Sequence, residues 1–449
     1  MKTRLPSPRY WKAIGALLRG RFRREVAITL LRQFVVVCLS IATAGIVARR
    51  LGKEGKGVLS LALLLPGMLA LMLSGGVGAA NVYLVASRRL GVSSLTENSS
   101  AFAIGASLVA FVIMAALFVT GGLGGIVPGV PASLVALSTL GIPLVLLREY
   151  LCAILRGLQK ITVVNLITTA SAGLTLILTS VFVAGLRVGV PGAILASLGA
   201  GLGALLLAVA FLQQQGVSFR PRLDLSIMRP TLSFGLKGHV GTVFQFFNYR
   251  FDVFVVNYFL GTSSVGIYSV SVALAELLWH LPEAVSFVIF PKAASSTPQT
   301  MNAFTPRVFL VTLGVTVVVG LGLLLLAKDL INLVYSSAFL AAYTPMVALL
   351  PGVAFLGAAK VLTNDITGRG YPHYNSINAG VALVVTVVLD IVLIPRYGVV
   401  GAAVASSIAY TAVFLAAIVF YRRASRKVPS HPSDNAGTST GPGCVVTAC

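Results

Sequence analysis

GVPGAILASLGAGLGALLLAVAFLQ, residues 189–213, runs for 25 positions without a charged side chain. A helix rises about 1.5 Å per residue, so about 20 apolar residues cross a hydrocarbon core of about 30 Å. The stretch therefore reads as a membrane-spanning helix. Its first nine residues, Gly189-Val190-Pro191-Gly192-Ala193-Ile194-Leu195-Ala196-Ser197, recur as Gly398-Val399-Val400-Gly401-Ala402-Ala403-Val404-Ala405-Ser406, a shift of 209 positions. A second block keeps the same shift: Leu51-Gly52, Gly57, Ser60 and Leu65 return as Leu260-Gly261, Gly266, Ser269 and Leu274. Arg156-Gly157 returns as Arg369-Gly370 with a four-residue slip. Two blocks at one offset point to an internal duplication.

Working outward from these blocks, charge clusters and Gly/Pro turns divide the chain into about twelve apolar runs. They lie near 26–48, 57–84, 99–120, 132–155, 161–184, 190–213, 235–260, 264–290, 308–327, 341–361, 374–394 and 400–421. The joints are short, which makes sequence neighbours antiparallel. The expected fold is all-α: a polytopic membrane protein of about twelve transmembrane helices in two parallel six-helix repeats. An even helix number per repeat gives both halves one orientation, related by an axis along the membrane normal. The expected organisation is a basic cytoplasmic tail (1–25), a first bundle (26–213), a cytoplasmic linker (214–234), a second bundle (235–421) and a disordered cytoplasmic tail (422–449). The linker is basic and polar, with Arg220, Arg222, Asp224 and Arg229. The tail is basic, then rich in Ser, Gly, Pro and Thr, and too polar to bury a core.

Composition agrees. Hydrophobic residues make up 57% and charged residues 10% of the 449 positions, with a mean hydropathy of +0.94. A soluble domain needs about 25% charged residues to face water. The net charge of +22 comes from 34 Lys+Arg against 12 Asp+Glu. In a membrane chain such an excess collects in cytoplasmic loops, so no nucleic-acid partner is inferred. With both termini in the cytoplasm, 25 basic residues fall inside and 7 outside. The exception is the first outside turn, where Arg49, Arg50, Lys53 and Lys56 have no topological explanation. Cys38, Cys152, Cys444 and Cys449 form neither a disulfide framework nor a metal spacing.

No hydrolytic, phosphate-loop or paired-histidine metal pattern is present, and no cofactor is expected. Ionisable residues at membrane depth are the informative ones, because they are rare, costly and face a cavity or a partner. They are Arg32 in the first helix; Asn248, Arg250 and Asp252 in the seventh; and Glu276 and His280, with Glu283, in the eighth. Gln245, Asn248 and Asp252 share one helix face, whereas Arg250 and Asp252 do not face each other. Two readings stay open for them. One is structural pairing or snorkelling at helix ends, which also covers Lys360, Asp365 and Asp390. The other is a polar cavity between the bundles, in which Arg250 and Arg32 attract an anionic head group. Arginine suits diphosphate because its planar fork makes bidentate, charge-assisted bonds.

Asn248-Tyr249-Arg250-Phe251-Asp252, Tyr258-Phe259-Leu260-Gly261, Val265-Gly266-Ile267-Tyr268-Ser269-Val270 and Phe290-Pro291-Lys292-Ala293-Ala294 resemble the polysaccharide-biosynthesis flippases of the multidrug/oligosaccharidyl-lipid/polysaccharide exporter superfamily. So do Gly368-Arg369-Gly370-Tyr371-Pro372 and Leu393-Ile394-Pro395-Arg396-Tyr397-Gly398-Val399-Val400-Gly401-Ala402-Ala403. The resemblance covers about 26–421. It implies a non-enzymatic transporter that moves undecaprenyl-diphosphate-linked oligosaccharides across the bacterial inner membrane by alternating access. Glycan polymerase and chain-length proteins are the implied partners, besides the lipid-linked substrate and membrane lipids. Three rival functions compete with it. A drug antiporter of the superfamily typically has an acidic residue in its first helix, but span 26–48 has only Arg32. A lipid II flippase usually has two further helices. A membrane glycan polymerase or transferase usually has a large outside loop, whereas every outside joint here is short.

Overall fold

The computed structural model describes residues 21–371 and 373–426. The basic tail through residue 20, Pro372 of the resemblance motif, and the tail from residue 427 with Cys444 and Cys449 lie outside the described residues. Among those described there are helices and no strands. Nine stretches are long and apolar enough to cross a membrane. Three of these are each two helices joined at a glycine with non-helical backbone: Arg21–Leu73 at Gly52, Leu225–Ala275 at Gly261 and His373–Arg426 at Gly398. Twelve spanning helices result among the described residues.

The first half holds α1 (21–51), α2 (53–73, resuming as Val77–Ala86), α3 (Val92–Val119), α4 (Ala132–Thr139 and Gly141–Gly157), α5 (Ile161–Thr179, closing in the π-turn Ser180–Gly185) and α6 (Val190–Gln213). The second half holds α7 (225–260), α8 (262–275, continuing through Glu276–Trp279 and His280–Ser295) and α9 (Pro298–Val334). It ends with α10 (Tyr343–Gly368), α11 (373–397) and α12 (399–426). Apolar side chains line the outside, as along α3 (Leu108, Val112, Val119) and α9 (Leu310, Val318, Leu325).

The repeated glycines are the corners of this architecture. Gly52 and Gly261 have φ of +68° and +78° with extended ψ. Gly189 and Gly398 have φ of +76° and +61° with ψ of −146° and −144°. This region of backbone space is open essentially to glycine alone. The first pair turns α1 into α2 and α7 into α8. The second lies between α5 and α6 and between α11 and α12. The 209-residue shift thus preserves the positions where the chain reverses between spans.

The first pair of corners also joins the halves. A Cβ on Gly57 would lie 1.8 Å from the Thr262 carbonyl oxygen, and one on Gly266 would lie 1.9 Å from that of Lys53. Residues 57 and 266, and residues 53 and 262, are repeat equivalents, so these are the two images of one contact. The largest hydrophobic cluster surrounds this crossing. It joins Ala48, Leu61 and Leu65 of the first half to Val256, Tyr268, Leu274 and Ile331 of the second. Nearby, the Arg49 guanidinium donates to the carbonyls of Asn332 (3.3 Å), Leu333 (2.5 Å) and Val334 (3.0 Å) at the end of α9. A cation at a helix C-terminus satisfies orphan carbonyls and complements the helix dipole. Arg49 in the basic turn between α1 and α2 therefore has a structural task.

Helix α7 begins at Leu225, within the stretch expected as linker (214–234). Asp224 caps it, accepting from the backbone N–H of Ser226 at 2.9 Å. Asn98 of α3 holds the Asp224 backbone through two hydrogen bonds of 3.1 and 3.2 Å. The apolar run starts later than the helix because α7 projects polar turns beyond it. The same holds for α9, whose Pro298–Val334 exceeds the expected 308–327 at both ends.

Candidate functional site

The polar interior of the second half is built on α7, α8, α10, α11 and α12. Helices α7 and α11 run in the same direction, and Thr386 of α11 donates to Asn248 Oδ1 of α7 at 2.5 Å. One turn further along each helix stand Asp252 and Asp390, close enough to interact as like charges. Asp252 accepts hydrogen bonds from the Tyr268 hydroxyl, from Ser406 Oγ at 3.1 Å and from the Val253 N–H at 2.8 Å. Asp390 is fully buried, and neither of its oxygens has a hydrogen-bond partner. A buried anion without a partner is costly unless a proton or a cation neutralises it.

Beside the carboxylates sits an aromatic cluster of Tyr249, Trp279 and Tyr410, with ring centroids 5.1–6.2 Å apart. Two ion pairs flank it, and a third lies further along α10. Arg250 forms a fork with Glu276, Nη1–Oε1 at 3.1 Å and Nη2–Oε2 at 3.3 Å. Lys360 meets Glu283 at 2.9 Å and lies over the Trp279 ring. Arg369 meets the buried Asp365 at 2.8 Å.

Along this interior runs a cavity of about 820 Å³, lined entirely by the second half. It is rich in carboxamides and hydroxyls: Gln245, Asn248, Asn364, Asn375, Asn378, Thr242, Thr363, Thr367, Ser286 and Ser376, with Lys237, Lys360 and Glu283 among them. Every one of these residues lies toward the end of the bundle that carries the 6–7, 8–9 and 10–11 joints, opposite the Gly57–Gly266 crossing. Tyr249 lines both this cavity and a small gap bounded by Asp252, Tyr268, Glu276 and Tyr410.

The sequence-selected residues divide accordingly. Asn248 lines the cavity, and Asp252 stands one turn deeper. Arg250 and Glu276 hold each other, and their half-buried fork lies beside the aromatic cluster. Among the described residues Arg32 bonds only its neighbour Gln33, at 3.3 Å, and its Nε is buried without a partner. Gln33 in turn lies 3.2 Å from His280 Nδ1, which ties α1 to α8 across the two halves.

A family model described as polysaccharide biosynthesis protein matches residues 46–344. The chain belongs to this family. A curated relative, the probable low-salt glycan biosynthesis flippase Agl15 of Haloferax volcanii, is 24% identical over 182 residues, covering 38% of this chain and 37% of that protein. The chain spans about two-fifths of the length of the curated relatives it matches. Among solved structures, lipid II flippase MurJ in an inward closed conformation superposes with a TM-score of 0.72 at 17% identity, over 89% of this chain and 90% of that one. An inward-facing multidrug resistance MATE family transporter gives 0.69 at 16% identity, over 88% and 97%. This polysaccharide biosynthesis protein therefore has the polytopic fold of those transporters.

Sequence reasoning did not single out Asn364, Asn375, Asn378 or Ser286 as site residues. Isolated amides and hydroxyls in apolar helices commonly serve as helix–helix glue. It placed Asp390 near a helix end. The available signal was the matched spacing of Asn248/Asp252 and Thr386/Asp390, each i and i+4.

Proposed function

We propose that the chain is a flippase moving undecaprenyl-diphosphate-linked oligosaccharides across the inner membrane of a bacterium, with both termini cytoplasmic and the two halves rocking between inward and outward access. The observation that carries this reading is the polarity of the second half. A large amide-rich cavity lies toward one end, while the halves are locked in backbone contact at the other. A carrier closed on one side and hollow on the other is poised for alternating access. The family and the 25-to-7 basic asymmetry support the substrate class and the orientation.

In this reading the anionic head group binds Arg250. Glu276 occupies the same guanidinium fork that a diphosphate would engage, so cargo and Glu276 compete for one cation. Arg32, with an unpartnered buried Nε, is the second cation on the path. The pair Asp252 and Asp390 takes up a proton or a small cation and couples its movement to transport. The test is a cell depleted of the chain. Lipid-linked oligosaccharide should accumulate in the inner leaflet and surface polysaccharide should fall; unchanged surface glycan with no accumulation would sink the proposal. The carboxylate pair also favours a second reading, cation antiport, but Lys237, left as the net positive charge of the cavity lining once Lys360 and Glu283 pair, and the unpartnered Arg32 Nε speak for an anionic cargo.

A further inference from the structure

Three asparagines in the cavity share one arrangement. Asn364 donates its Nδ2 to the Lys360 carbonyl at 2.8 Å. Asn375 donates to the Thr363 carbonyl at 3.3 Å and to Thr367 Oγ1 at 2.7 Å. Asn378 donates to the Val413 carbonyl at 3.2 Å. Each amide nitrogen is anchored to the helical frame through at least one N–H, which fixes the side chain and leaves its carbonyl oxygen free to accept. Two groups are plainer still. Asn378 Oδ1 and Ser286 Oγ are buried with no partner, on residues 4% and 5% exposed that both line the cavity. They come from different helices, α11 and α8. A buried acceptor or hydroxyl left unpaired destabilises a fold, so a cavity that holds two from different helices is suited to a ligand that pairs them.

The chemistry of that ligand follows. Fixed carbonyl acceptors call for a cargo rich in hydroxyl or amide donors. With Lys360 paired to Glu283, Lys237 leaves the lining one net positive charge, which disfavours a cationic cargo. Tyr249, backed by Trp279 and Tyr410, offers a flat amphipathic surface to a ring, and 820 Å³ falls in the usual range of ligand pockets, about 300–1,000 Å³. Resting on the flippase reading, we propose that this cavity is the sugar-reading chamber, in which Asn364, Asn375, Asn378 and Ser286 determine which glycan is carried. Head-group binding is then separate, at Arg250. Among the described residues the first half contributes none to the chamber, so glycan specificity resides in the second half.

Trp11 and Trp279 are the two tryptophans, so in a Trp11→Phe background Trp279, 5.1 Å from the Tyr249 ring, reports on the chamber. The full chain in nanodiscs is titrated with a short-chain prenyl diphosphate and with the same lipid carrying a neutral disaccharide. The glycosylated lipid should bind roughly tenfold more tightly, as one or two extra hydrogen bonds set. Asn378→Leu, and the milder Ser286→Ala, should each shrink that difference while leaving the bare lipid's affinity unchanged. Equal binding of both lipids by the parent protein, or equal loss of both in the variants, overturns the chamber assignment and leaves the flippase reading standing. Binding of neither lipid overturns both.

Discussion

Arg250 is the residue on which binding and structure compete. Its fork to Glu276 is what a purely structural pair would look like, and a double substitution separates the roles. Arg250→Ala should lower transport roughly 10- to 100-fold, the range set by charge-assisted hydrogen bonds of about 1.5–3 kcal/mol. If the pair were structural, Arg250→Ala with Glu276→Ala would restore both folded protein and transport, because no unpaired charge remains. If Arg250 binds the head group, the double variant folds and stays inactive, as transport assays alongside expression in the same membranes would show. Asp390 makes a second case. Asp390→Asn should keep the fold, with thermal stability equal to or above the parent, since an unpartnered buried carboxylate is removed. It should also abolish the response of transport to an imposed proton or sodium gradient. A parent protein indifferent to both gradients would refute the coupling role. Sequence showed that these groups lie at membrane depth but not what they touch. Spacing along α7 told that Arg250 and Asp252 diverge, yet Glu276, 26 positions on, becomes a partner only when α8 folds back at Gly261. The apolar flank of Asp390 gave its position along α11 and not its face.

At the scale of elements, the corners decide the architecture. Gly57→Ala places a methyl group into the Thr262 carbonyl, and Gly266→Ala places one into that of Lys53. Each should destabilise the closed crossing by about 1–3 kcal/mol, the usual cost of overpacking. The variants should remain folded but shift toward the state open at this end, seen as faster thiol labelling of a cysteine placed at Ser60. Labelling unchanged from the parent would mean that the crossing does not gate access. The corners at Gly52, Gly261, Gly189 and Gly398 were legible in the sequence, because a backbone region reserved for glycine leaves glycine at the same offset in each half. Helix ends were less legible. Hydropathy marks where lipid stops, whereas α7 and α9 run on through polar turns held by Asp224 and Thr297.

For the whole molecule, duplication and function are linked. The two halves meet through equivalent residues at one end and diverge in content elsewhere: the second half holds the cavity, the carboxylate pair and the aromatic cluster. Duplication made the fold readable from the sequence alone, while divergence kept the chamber hidden, since its lining is scattered over several helices with no common motif. A disulfide between Lys53→Cys and Thr262→Cys should lock the crossing and stop transport, with activity returning on reduction; full activity after complete crosslinking would rule out rocking of the halves. Flipping itself is most directly tested with the purified chain in liposomes loaded with undecaprenyl-diphosphate-linked oligosaccharide, by following how much glycan becomes accessible to an external glycosidase. A flippase that grips its cargo through Arg250 exposes the inner-leaflet pool to cleavage, and the pool stays protected in vesicles carrying the Arg250→Ala chain. Protection by the parent chain equal to that of protein-free vesicles would contradict it.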